Sequence, residues 1–133
     1  MDQFERMTKS VEAAQKQARE LLLLGEKATN PGLSQHVEQL SSAVQEAQND
    51  NQTFVKSFLP EQKAGLKDFS KKLEKAGSEV TKKDKALTRE AGRPGAKHIA
   101  GVADELDKAL VELEAKQRAM GDEMGIPGAA NPK

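Results

Sequence analysis

Apolar residues recur three and four positions apart along four stretches of this chain, and that spacing constrains its fold more than any single residue does. In the first stretch Phe4, Met7, Val11, Ala14, Ala18 and Leu21 are spaced 3, 4, 3, 4, 3, the seam of a helix packed on neighbours. The stretch then returns. Shifted by 62 positions, Met7 falls on Phe69 and Val11 on Leu73, while Lys9/Lys71, Glu12/Glu74 and Ala14/Ala76 are identical. Pro31-Gly32 matches Pro94-Gly95 with a one-residue slip, and His36-Val37 falls on His98-Ile99. A repeat of this kind predicts two copies of a helical hairpin. The expected fold is all-α: an antiparallel up-down four-helix bundle with an internal pseudo-twofold repeat of a helical hairpin. The hairpins span 1–58 and 59–125, and 126–133 reads as a disordered tail.

Punctuation places the helices. Helix 1 is expected from about Asp2 to Ala28, ended by Asn30-Pro31-Gly32. Helix 2 begins near Leu33 and repeats at Val37, Leu40, Val44, Ala47, Asn51, Phe54 and Phe58. The series changes phase between Phe58 and Leu59, and Pro60 suits the first turn of a new helix. Either a tight turn falls there, or helices 2 and 3 continue as one kinked or swapped helix. Helix 3 carries Leu66, Phe69, Leu73, Ala76, Val80 and Leu87, with a weak spot at Lys83-Asp84, and Gly92-Arg93-Pro94-Gly95 closes it. Helix 4, from about Lys97 to Met124, presents Ile99, Ala103, Leu106, Leu110, Leu113, Gln117, Met120 and Met124.

Composition narrows the function classes. With 21 basic and 21 acidic residues in 133, no net field favours nucleic acid. Trp and Tyr are absent and Phe numbers four, which disfavours base stacking. Without Cys there is no disulfide framework, thiolate metal site or cysteine nucleophile. The charged N-terminus does not read as a signal or transit peptide. The longest apolar run, Leu21 to Leu24, is too short for membrane insertion. A cytoplasmic protein is the default expectation, or an exported mature form if a leader has been removed. Helix 3 carries about +3 and helix 4 about −3, which favours their adjacency. The row Lys63, Lys67, Lys71, Lys75, interleaved with Asp68 and Glu74, reads as a solvated face.

Chemistry-bearing motifs are few. Ferritin-like carboxylate sites need Glu-x-x-His on two helices, and Leu33 precedes His36 at that spacing as Gly95 precedes His98. No metal or cofactor is expected. His36 and His98, both in first turns at one end of the bundle, are the candidate metal ligands, set against a reading as end-covering flank residues. Phe4, Phe54, Phe58, Phe69, Met7, Met120 and Met124 gather at one half of the bundle. This is either a bulky core or an openable groove for apolar partners. Of the four leucines in Leu21 to Leu24, Leu21 and Leu22 can face the core. Leu23 points away, because a helix turns ~100° per residue, and so becomes the candidate contact for a homodimer or partner. Asn51 and Gln117 interrupt apolar series at one level and are expected to share a polar, register-fixing layer.

Leu59-Pro60-Glu61-Gln62-Lys63 resembles, over five residues, the Leu-Thr-Pro-Glu-Gln segment of helical periplasmic chaperones. Phe58-Leu59 stands where that segment has Leu-Thr, and no second copy occurs, so no family follows. The functional expectation is a non-enzymatic interaction or scaffold bundle that binds a protein partner or itself. Its rivals are a small-molecule or metal-binding bundle and a stress-type holdase.

Overall fold

The computed structural model describes residues 3–24, 30–58, 67–92 and 99–126. Four helices, α1 (Gln3–Leu24), α2 (Asn30–Thr53), α3 (Lys67–Ala91) and α4 (Ile99–Glu123), form a four-helix bundle. Around it, α1 packs on α2 and α4, and α3 packs on α2 and α4. Partner numbers rise on one helix as they fall on the next. Ser10 meets Asp50 between α1 and α2, and Phe4 meets Phe54 just past the end of α2. Ser41 meets Asp84 and Asn51 meets Leu73 between α2 and α3. Glu12 meets Arg118 and Arg19 meets Asp107 between α1 and α4.

The spaced apolar residues supply the core. The whole α1 series from Phe4 to Leu21 is buried, and so are Val37, Leu40, Val44 and Ala47 on α2 and Phe54 just beyond it. On α3, Leu73, Ala76, Val80 and Leu87 face inward, and on α4 the series from Ile99 to Met120 does so. Burying a Leu or Val side chain contributes roughly 1.5–3 kcal/mol, so these stripes hold the fold. Thr8 and Ser10 would compete with α1, but the Thr8 hydroxyl donates to Phe4 O within the helix at 3.2 Å, and the Ser10 hydroxyl, 2.9 Å from Arg6 O, is engaged by Asp50 of α2.

The helix ends differ from expectation in three places. First, α2 starts at Asn30 rather than near Leu33. Pro31 then lies in the first turn, where a backbone N–H has no helical partner to lose. Second, α2 is followed by a π-helical turn, Phe54–Phe58. The longer i to i+5 turn shifts the phase and brings Val55 into the core beside Phe54. Third, Ile126 does not begin a loose tail. Its N–H donates to Gly121 O at 2.9 Å while the Gly125 N–H donates to Asp122 O at 3.0 Å. That is a Schellman cap, made possible by Gly125 at φ 79°, and Ile126 packs against the core. The expected turn at Pro60, the extension of helix 1 to Ala28, and residues 127–133 lie outside the described residues.

Candidate functional site

The middle of the bundle is crossed by polar contacts. Gln117, wholly buried on α4, donates from Nε2 to Asn51 Oδ1 at 3.0 Å, and Asn51 Nδ2 reaches Leu73 O at 3.4 Å. The two interruptions in the apolar series therefore meet, as their positions along the helices predict. Neighbouring residues set the level: Asp50 accepts from Ser10, and Arg118 Nη2 lies 2.8 Å from Glu12 Oε1. Gln15, buried on α1, donates to Glu114 Oε1 at 2.9 Å. Gln117 Oε1 is buried with no hydrogen-bond partner among the described residues.

A second polar line runs along the α2–α3 seam. Ser41 Oγ donates to Asp84 Oδ2 at 3.2 Å, while Asp84 Oδ1 is buried without a hydrogen-bond partner among the described residues. Burial pushes the Asp84 carboxyl above the ordinary carboxylate value, against the opposing effect of the Ser41 hydrogen bond. Further along, Gln48 Nε2 donates to Gly77 O and to Thr81 Oγ1. Gly77 permits this approach, since a Cβ there would stand 2.9 Å from Gln48 Oε1. A groove of about 520 Å³ opens beside these groups, lined by Gln48, Asn51, Val55, Gly77, Thr81 and Lys82 among others. Of the seam groups, sequence reasoning marked Asn51, as a polar interruption, and the Lys83-Asp84 pair, as the weak spot of the α3 series. The signal for the rest was present: Ser41 follows Leu40, Gln48 follows Ala47 and Gly77 follows Ala76, each one position past a core residue.

Another groove, about 570 Å³, follows α3 and α4, with Ala76 and Ala109 on its floor and Lys83 paired to Glu105 across it at 3.6 Å. The opposite charges of the two helices meet there.

The residues singled out from the sequence fall in different environments. Leu21 is buried, Leu22 half-buried, and Leu23 is 81% exposed. Phe4 and Phe54 pack edge to face with centroids 6.2 Å apart. Phe4, Phe54 and Met120 are interior, and Met124 is partly buried against the core at the same end. The side chains of Phe58 and Phe69 lie outside the described residues. His36 is half-buried in α2, and His98 lies outside the described residues. Among the described residues no group of three or more His, Cys, Asp or Glu is placed to hold a metal ion. No described helix is long and apolar enough to cross a membrane. Comparison with known proteins finds no matching family model, curated protein or solved structure.

Proposed function

We propose that this chain is a non-enzymatic interaction or scaffold bundle, acting through its helix surfaces, with Leu23 anchoring a contact to a protein partner or a second copy. The observation that carries this reading is the 81% exposure of Leu23 on a helix otherwise sealed by its apolar seam. Val111, 44% exposed on α4, strengthens it. Val111 lies between Asp107, ion-paired with Arg19 of α1, and Glu114, hydrogen-bonded by Gln15 of α1, and Leu23 is one turn beyond Arg19. The two exposed residues thus flank one seam, roughly 9 Å apart along the bundle at ~1.5 Å per residue. Together they offer far less than the ~800 Å² per partner of a standard stable interface, so the contact is weak or draws in the charged rim around it. Phe4, Phe54, Phe58, Met120 and Met124 belong to the same reading as a second contact region. Because Phe4, Phe54 and Met120 are buried, their use requires that end to part.

Two architectural features belong to this proposal. The opposite running of helix contacts supports an up-down order. The matched burial of Val11/Leu73, Ala14/Ala76 and Ala18/Val80 supports a duplicated hairpin.

The test is native mass spectrometry of the gently purified protein beside Leu23→Asp. The proposal expects an even multiple of the chain mass, or a bound polypeptide, that Leu23→Asp removes while the helical circular-dichroism signal persists. A mass unchanged by Leu23→Asp, or an added metal or small molecule, refutes it.

A further inference from the structure

Of the four seams between neighbouring helices, α2–α3 is the least extensively packed among the described residues. It is also the one crossed by Ser41–Asp84, Gln48–Gly77, Gln48–Thr81 and Asn51–Leu73 hydrogen bonds. The chemistry of a seam decides how easily it parts. Water replaces a broken side-chain hydrogen bond at little net cost, whereas it does not replace an apolar contact. The groove of about 520 Å³ already admits solvent-sized space beside Asn51 and Gly77. The π-helical turn Phe54–Phe58 sits at the foot of the same seam, and such turns concentrate where helices serve function. On the other side of the molecule, α1–α4 is also crossed by polar contacts, Gln15–Glu114, Glu12–Arg118 and Arg19–Asp107, but is more extensively packed.

We infer that the α2–α3 seam is the opening edge of the bundle, and that it admits an amphipathic helix of a partner carrying one Lys or Arg within its apolar stripe. This rests on the reading of the chain as an interaction protein and names a different surface from Leu23. Parting α2 from α3 uncovers Val37, Leu40, Val44 and Ala47 on one side and Leu73, Val80 and Leu87 on the other. The α2 row keeps the three–four spacing, the α3 row keeps it once Ala76 and Asp84 are included, and the α2 row together with Phe54 runs about 25 Å at ~1.5 Å per residue. An inserted helix with its own apolar stripe repacks knobs into holes on both walls, which an extended segment does not. The cation is called for by Asp84: a carboxyl on this seam with one oxygen bonded to Ser41 and the other unpartnered. A buried donor from the partner satisfies that oxygen, and a charged one pairs with it best. Lys83, the neighbouring cation, is turned away toward Glu105 on α4.

The chain contains no Cys, so introduced thiols are unique probes. In Gln48→Cys/Thr81→Cys the two helices can be stapled and released with dithiothreitol. The ligand probe is a labelled synthetic helix of about three heptads with Leu at a and d and Lys at the central a position, read by fluorescence anisotropy. Reduced protein is expected to bind it. Oxidation should weaken binding about tenfold or more, the ~1.4 kcal/mol a tenfold change represents, and dithiothreitol should restore it. A Glu-centred probe should bind less well, and Asp84→Asn should erase that preference. Where a staple does not close, thiol labelling decides: Val44→Cys on the seam should react about tenfold faster than Ala18→Cys, which lies away from it on α1. Equal binding with and without the staple, no binding to reduced protein, or equal thiol reactivity overturns the inference. Leu23→Asp leaves probe binding unchanged, so failure here and failure of the Leu23 contact are separable.

Discussion

Asp84 shows how one side chain carries a pH dependence. Its carboxyl is buried, its value lies above the ordinary 3.8, and desolvation is the larger cause. Between 3.8 and that raised value the folded protein holds more protons at this site than the unfolded chain. The contribution of Asp84 to stability therefore falls as pH rises through that window, and stays low above it. Asp84→Asn keeps the shape and an acceptor for Ser41 but carries no charge. It is expected to melt higher than the parent at pH 7, with the difference shrinking as pH falls toward 3.8. Thermal melts of both proteins across pH decide this, and a pH-independent difference would discard it. The sequence marked Lys83-Asp84 as the weak spot in the α3 series. It could not say which of the two turned inward, because the stripe there is interrupted and the choice depends on where α2 lies.

At the scale of elements, Asn51 and Gln117 belong together. Each is a polar residue in an apolar series, and their meeting fixes α2 against α4 across the core at 3.0 Å. Asn51→Leu alone leaves the Gln117 amide buried and unbonded, and should cost about 1–3 kcal/mol by urea denaturation. The double variant Asn51→Leu/Gln117→Leu removes both polar groups and should recover most of that loss. A double variant no better than the worse single one would mean that the two amides act separately. This pair was legible because both members sit on counted heptad positions. The π-helical turn was visible only as a phase change, which the sequence located at Phe58–Leu59 while the helix absorbs it from Phe54 onward. The tail was expected to start at Ile126, since the cap depends on Ile126 finding the core and not on Gly125 alone.

For the whole molecule, the balance of forces can be tested directly. The inter-helix ion pairs are partly solvated: Arg19 is 59% exposed opposite Asp107, and Glu105 is 57% exposed opposite Lys83. Exposed pairs contribute ~0–1 kcal/mol each and weaken in salt. Leu110, fully buried on α4, is worth about 2–5 kcal/mol when truncated to Ala. Stability measured by urea denaturation should therefore fall by at most about 1 kcal/mol per inter-helix pair between low salt and molar NaCl, and by about 2–5 kcal/mol on Leu110→Ala. A larger salt effect than substitution effect would show that charge, rather than the apolar seams, holds the four helices together.

Periodicity by itself determined the helices and the core, because a helix repeats every ~3.6 residues and carries its burial pattern in the order of its own side chains. It also determined that Leu23 points out, since no rotation can bury four consecutive leucines on one face. Only the tertiary structure decided the polar α2–α3 seam, the unpartnered oxygen of Asp84 and the approach of Gln48 to Gly77. Those are properties of two surfaces meeting. Residues 29 positions apart, such as Gln48 and Gly77, acquire a shared environment only when the register between helices is set, and that register depends on the packing of every other seam.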